Sequence, residues 1–390
     1  MARKESGEFH IGLDEIVPYF AELEDPRSSI NRKHPLVIVV VISVMAVLAG
    51  CSGPTGIAEW AELKKDLLLN LLDLPHGIPG KDVFRRVLMS LNPGAFQACF
   101  TEWLEALRAK AAETLEIDEP VLAVDGKTLR RSHDRKKGLG ALHSVSIWAS
   151  ELGLSLGQVA TEEKSNEITA IPEVLKLVDI RGAIITIDAM GTQTAIAKQI
   201  VDSGADYVLA LKGNQGSLYQ AATDYIEEQM QEDFAQVDAR RHTTTQTKHG
   251  RTETRTYIHL PAPKTLAGLD RWASLMTLGV VISIIVRNGK ETVDIRYFIS
   301  SLALGVKRFA NAVRSHWGIE NSCHWTLDVT YREDESRIRE KQLRENMAWL
   351  NRHTLSLLKQ QTNKKSVAMN RRRCGWDDDV LLKILTGVQS

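Results

Sequence analysis

Apolar and polar positions change rhythm three times along this chain. From about Phe9 to Lys110 they repeat at helical spacing, through Leu13-Asp14-Glu15-Ile16, an almost unbroken apolar run over residues 36–49, and a periodic stretch from Ile57 to Leu74. Asp25-Pro26-Arg27 and Pro75-His76-Gly77-Ile78-Pro79-Gly80 interrupt the helices. After the second break, Asp82 is expected to cap a helix carrying Val83, Phe84, Val87 and Leu88, with Arg85 and Arg86 outward. These two arginines fit a solvated face, or a helix-turn-helix-like DNA contact. The pattern predicts a helical N-terminal domain over residues 1–115.

From about Glu119 the texture is that of strands. Val121 to Asp125, Ala141 to Ala149 and Leu154 to Ala160 form three runs, the last two joined around Ser150-Glu151-Leu152-Gly153, which predicts an antiparallel meander. A helix from about Asn166 to Val178, a strand ending at Asp188, a helix from about Thr192 to Ser203 and a strand Tyr207-Val208-Leu209-Ala210-Leu211 follow. Three strands and then alternating helix and strand describe a mixed α/β sheet over residues 116–230. Residues 231–302 return to strands, with Asn288-Gly289 as a hairpin turn, and read as a β-rich insertion. Residues 303–390 are helical again.

Composition narrows the class. The chain has 390 residues, 43% of them hydrophobic, enough for a sizeable core and two or three structural regions. Its 49 basic and 49 acidic residues cancel, so any contact with nucleic acid must come from local clusters. Cys51, Cys99, Cys323 and Cys374 are scattered without a C-x-x-C pair, which excludes a zinc ribbon and a disulfide framework and fits a reducing cytoplasm. No secretory signal is legible. The run over residues 36–49 is shorter than the roughly 20 residues a bilayer needs and closes at Gly50-Cys51-Ser52-Gly53-Pro54, so it is expected to be a buried helix.

Candidate chemistry begins with Asp125 and Asp188, each at the end of a β-branched or apolar run and followed by small residues. A single such Asp usually caps the next helix; two on neighbouring strands would converge at one sheet edge and bind a cation or share a proton. A third acid is Glu320, next on the stripe Val306, Phe309, Ala310, Val313 and Trp317. A carboxylate aimed at a core needs a cation, a partner or a proton, unless the helix simply surfaces there. His316, Glu320 and His324 are each four apart, so a transition-metal site on one helix face is also conceivable. Asp328, Glu333, Asp334 and Glu335 are other candidates for the third acid, most of them expected on a solvated loop, and Trp317 is read as core.

Asp125-Gly126-Lys127, Asp188-Ala189-Met190-Gly191, Leu211-Lys212-Gly213-Asn214-Gln215, and Arg314-Ser315-His316-Trp317-Gly318-Ile319-Glu320-Asn321 with Leu327-Asp328-Val329 resemble the H-repeat-associated (ISAs group) insertion-sequence transposases of bacteria. The resemblance spans nearly the whole chain, including Asp25-Pro26-Arg27, His34-Pro35-Leu36 and Gly375-Trp376-Asp377-Asp378-Asp379. It implies a DDE-type enzyme: a ribonuclease-H-like catalytic core interrupted by a β insertion, behind a helical N-terminal domain. It implies Asp125, Asp188 and Glu320 as catalytic carboxylates holding two Mg²⁺ ions, with Mn²⁺ able to substitute. The implied partners are double-stranded transposon-end and target DNA, with a homodimer in the synaptic complex, in a bacterial cytoplasm at the nucleoid. Many related transposases carry Tyr and Arg seven and four residues before the Glu and Lys seven after; here these are Val313, His316 and Leu327.

For DNA, the densest cluster is Lys127, Arg130, Arg131, Arg135, Lys136 and Lys137, beside the first Asp. Lys212 and Asn214 would either meet DNA near the metals or close a turn. Arg240, Arg241, Lys248, Arg251 and Arg255, or Lys364, Lys365, Arg371, Arg372 and Arg373, are further candidates to track a transposon end. Readings kept open are a nuclease that stops at cleavage and a DNA-binding protein that has lost catalysis.

Overall fold

A computed structural model describes residues 17–386 apart from 31, 116–118, 134–137, 139, 162–166 and 249. The helical start expected from Phe9, and Arg135, Lys136 and Lys137, lie outside the described residues. Five helices come first: α1 (Leu36–Leu48), α2 (Pro54–Leu63), α3 (Lys65–Leu71), α4 (Lys81–Ser90) and α5 (Pro93–Leu115). Eleven residues of α1 are buried, because the helix is apolar all round and is surrounded by other helices. No helix among the described residues is long and apolar enough to cross a membrane. Asp82 does not cap α4; Gly80 holds that place and Asp82 sits in the first turn, where its charge suits the helix dipole.

The strands and helices that follow are β1 (Val121–Leu129), β2 (Leu142–Ala149), β3 (Leu154–Thr161), α6 (Glu167–Lys176), β4 (Ile184–Ile187), α7 (Thr194–Asp202), β5 (Asp206–Leu211), α8 (Ser217–Gln231), β6 (Arg240–Lys248), β7 (Arg251–Pro261), β8 (Thr277–Arg287) and β9 (Lys290–Ser300). They form one nine-stranded sheet in the order β3-β2-β1-β4-β5-β9-β8-β7-β6. β1, β4 and β5 are mutually parallel and every other pairing is antiparallel. The four late strands are therefore not a separate body: β9 pairs with β5 and carries the sheet onward. Asn288 and Gly289 both take positive φ at the β8–β9 turn, as a two-residue hairpin of this sequence requires.

Helices on both faces explain why Val121 to Val124 are buried without alternation. On one face Ile171, Val174, Ile196, Ile200, Leu218 and Ile226 pack from α6, α7 and α8. On the other lies α9 (Val306–Gly318), through Phe309 and Val313. A Cβ on Gly279 would run into the Phe309 ring, so β8 and α9 meet at van der Waals contact. Gly279→Ala is expected to cost about 1–3 kcal/mol by overpacking, read from urea unfolding; wild-type stability would show that this contact is loose.

α9 continues without a break into a π-helical turn, Ile319–His324, and then α10 (Trp325–Val329). α11 (Lys341–Lys359) follows and is buried along most of its length, with α12 (Val367–Trp376) and α13 (Asp378–Leu385) closing the chain. α1, α4, α5 and α11 to α13 share one apolar core, so the two ends of the sequence are packed together. The terminal motifs serve that assembly. Arg27 takes both oxygens of Asp25, at 2.9 and 2.7 Å, and donates to the His34 carbonyl just before α1. Asp377 caps α13 through the Asp379 and Val380 amides, and Asp378 pairs with Lys64 at 2.7 Å.

Candidate active site

The parallel register of β1 and β4 sets Val124 beside Ile187, so Asp125 and Asp188 are the next residues on adjacent strands. β4 ends there. β1 does not, contrary to the expectation of a strand end: it runs on to Leu129 along β2, and Asp125 is the point where its parallel neighbour stops. One oxygen of Asp188 accepts from the Met190 and Gly191 amides at 3.0 and 3.2 Å, which fixes the carboxylate over the turn. Asn214 and Gln215 donate to the Ala189 carbonyl at 2.7 and 2.8 Å, so the loop after β5 clasps the loop after β4. Asn214 thus closes a turn with its amide, and Lys212 beside it is left exposed.

Glu320 lies on the π turn and is exposed, so the core-facing stripe ends at Val313. With Asp188, Thr186, Lys212, His316 and Trp317 it lines a cleft of about 330 Å³. Trp317 is no core residue: the Arg296 guanidinium lies 4.2 Å from its ring centre. The π turn also separates the two histidines. His316 Nδ1 is 3.0 Å from Thr186 Oγ1 on β4, whereas His324 Nδ1 is 3.4 Å from Asp125 Oδ2 on β1. Among the described residues no three His, Cys, Asp or Glu side chains stand close enough to hold one ion, so the one-face helical metal site does not form.

Burial pushes the Asp125 carboxyl up to about 7; a hydrogen bond from Gly126 opposes this, and the charges of Asp188, Glu320 and Glu167 add to it. Burial likewise lowers His316 to about 4 and His324 well below the usual imidazole range, so both rings are neutral at pH 7. A half-buried acid in the field of three other carboxylates is the electrostatic condition that a divalent cation relieves. The donors in question are all oxygen, as a hard cation prefers.

Lys127, expected as a phosphate contact, is buried. Its ammonium pairs with Asp328 and lies 3.9 Å from Asp334, which ties β1 to α10. Asp328 and Asp334 are therefore structural anions, and Glu333 is buried against Arg352 at 3.6 Å; only Glu335 of the four is an exposed loop acid. Arg130 and Arg131 are exposed. Arg371, expected among the DNA contacts, is buried over the Tyr331 ring and donates to the Val47 and Thr330 carbonyls. Val313 and Leu327, where related enzymes carry Tyr and Lys, are core residues.

A second cleft, of about 470 Å³, runs between β7–β9 and α9 and reaches Glu320. Arg251, Arg255, Arg296 and Arg314 line it. Arg251 and Arg255 share Glu253, and Arg296 pairs with Asp294 at 2.7 Å; Arg314 is exposed, with no ion-pair partner among the described residues. Arg296 and Arg314 escaped the reading of the sequence, as did His143 and Glu167 behind Asp125. Only the packing of α9 and α6 against the strands assembles these groups.

Two carboxylates thus stand on adjacent parallel strands, and a third, on a helix, lines a cleft with the second. The transposase DDE domain family matches residues 116–357 and the DDE_Tnp_1-associated family residues 17–104, so the chain belongs to the DDE transposases. It is 38% identical over 375 residues to YncI of Escherichia coli O157:H7, covering 92% of this chain and 93% of that one. It is 34% identical over 381 residues to YhhI of Escherichia coli K12, covering 96% and 98%, and that name places it in the H repeat-associated group. A piggyBac transposase synaptic complex with hairpin DNA aligns over 97% of this chain and 79% of that one, at 11% identity and a TM-score of 0.37, too slight a likeness to carry an argument.

Proposed function

We propose that this transposase cuts the phosphodiester at its element's ends and joins the freed ends to target DNA, with Asp125, Asp188 and Glu320 as the catalytic carboxylates. The reading is carried by the side-by-side placement of Asp125 and Asp188, with Glu320 facing Asp188 across a shared cleft. Two Mg²⁺ ions, or Mn²⁺, held by these acids would supply activation of the attacking water or 3′ hydroxyl and stabilisation of the leaving oxyanion. Asp125, Asp188 and Glu320 would be the residues that hold the ions. The protein's own work is positional. Thr186–His316 fixes α9 to β4, and Lys127 with Asp328 fixes α10 to β1. We read the first five strands of the sheet as ribonuclease-H-like, supported by three antiparallel strands followed by two parallel ones.

The test is incubation of the full chain with DNA carrying the element's ends, in Mg²⁺ and in EDTA. Metal-dependent cleavage followed by joining of a pre-cleaved end is expected. Cleavage without joining would make the protein a nuclease, and end binding without cleavage a DNA-binding protein. The synaptic species is taken to be a homodimer, one chain to each end.

Lys212, Arg131 and Arg314 are exposed cations with no ion-pair partner among the described residues, and Arg130, exposed beside them, pairs with Asp334 at 3.5 Å. Lys212→Ala and Arg314→Ala are each expected to lower the salt slope of end binding by about one counterion. Lys127→Ala should leave the slope unchanged, since its ammonium is already neutralised. A flat result for both exposed cations would move the DNA path elsewhere.

A further inference from the structure

Gly126 is the residue after the first aspartate, and there is no room on it for a side chain. A Cβ there would collide with Glu167 Oε1 and come 2.9 Å from His143 Nε2. These two atoms belong to a buried pair, with His143 Nε2 2.7 Å from Glu167 Oε1. The other imidazole nitrogen, Nδ1, is 2.7 Å from Thr128 Oγ1, directly across from His143 in the β1–β2 register. A line of polar groups therefore runs from Thr128 through His143 to Glu167 and ends against the peptide that carries Asp125.

Two features set this pair apart from packing. A buried acid and imidazole are a costly way to fill space, since apolar groups of the same volume do it as well or better. And Glu167, on the first turn of α6, reaches the backbone of the residue after Asp125 from an element that carries none of the three acids.

We infer that Glu167, oriented by His143, is a positioning residue for the metal-binding carboxylate Asp125: it seats the peptide at Gly126 and adds negative charge behind the cation. The inference depends on the reading of Asp125 as a metal ligand. Partners behind the ligands of a metal site typically account for 10–100-fold in affinity, and an effect of that size is expected here.

The measurement is Mn²⁺ binding to the full chain, mixed with a duplex carrying the element's end, by electron paramagnetic resonance of the free ion. Glu167→Gln is expected to weaken binding about 10–100-fold. Glu167→Asp, which keeps the charge, should recover most of the loss. Thermal unfolding of each variant checks that it folds. If Glu167→Gln does not fold, His143→Gln takes its place and should weaken binding severalfold. Wild-type affinity in Glu167→Gln or in His143→Gln, with binding lost in Asp125→Asn, overturns the inference alone, and so does an unrecovered Glu167→Asp. Wild-type affinity in Asp125→Asn, or no binding by wild type, overturns the metal reading together with it.

Discussion

Asp125→Asn should abolish metal-dependent cleavage, by a factor of about 10³ or more, and at the same time raise the stability of the metal-free protein at pH 8. Activity falls because the substitution removes the charge of a proposed metal ligand, and with it the electrostatic term that usually dominates such catalysis. The gain in stability follows from the same group. Burial first, then the charges of Asp188, Glu320 and Glu167, hold its folded-state pKa at about 7 against 3.8. An acid shifted upward costs the fold nothing below its unfolded pKa. The cost grows as pH rises from about 4 to about 7 and stays constant above. It is at most about 4 kcal/mol for a shift of this size, and less because 19% of the side chain meets solvent. In EDTA the stability that Asp125→Asn gains over the wild type should therefore be larger at pH 8 than at pH 5, where the wild-type carboxyl is already protonated. The opposite pH dependence of the buried neutral His316 and His324 cancels from this difference. Bound Mg²⁺ should narrow the gain, and Mg²⁺ affinity should fall as pH drops below 7, because a proton then competes for the carboxylate. An Asp125→Asn variant that still cuts, or one destabilised at pH 8, would sink the assignment.

Arg352→Ala should cost about 3–5 kcal/mol of stability, measured by urea unfolding, because it strands a buried anion. Arg352 is fully buried; Nη1 lies 3.6 Å from Glu333 Oε1, and Nη2 donates to Ser144 Oγ at 3.2 Å. The arginine thereby ties α11 to both β2 and the turn after α10. Glu333→Ala should cost a similar amount by leaving the guanidinium unpaired. Arg352→Met with Glu333→Leu, which removes both charges and keeps the volume, should recover most of the loss. Equal damage from the double substitution would mean that the hydrogen bonds to Ser144 and the Ala348 carbonyl matter more than the ion pair. This cluster is also the reason Glu333 cannot substitute for Glu320 as the third acid: its carboxylate is turned inward.

The local pattern of the sequence was sufficient for several things. The meander, the alternation of helix and strand, the Asn288-Gly289 hairpin and the buried character of α1 all follow from periodicity and turn chemistry, which act between residues close in the chain. The two aspartates were legible for the same reason, as each ends a run of buried, β-branched neighbours. Tertiary structure decided the rest, because charge and burial depend on what arrives from elsewhere. Lys127 looks like one more cation in a basic cluster until Asp328, 201 residues later, reaches it, and Glu333 looks like a loop acid until Arg352 does. The helical spacing put Glu320 on a buried stripe, but beyond Val313 that stripe leaves the core, and Trp317 and Glu320 line a cleft. The late strands read as an insertion, yet backbone pairing between β5 and β9 made them a continuation of the same sheet. His143 and Glu167 have no sequence signature at all. Their meaning comes from Gly126, where the absence of a side chain lets an acid and an imidazole close in behind Asp125.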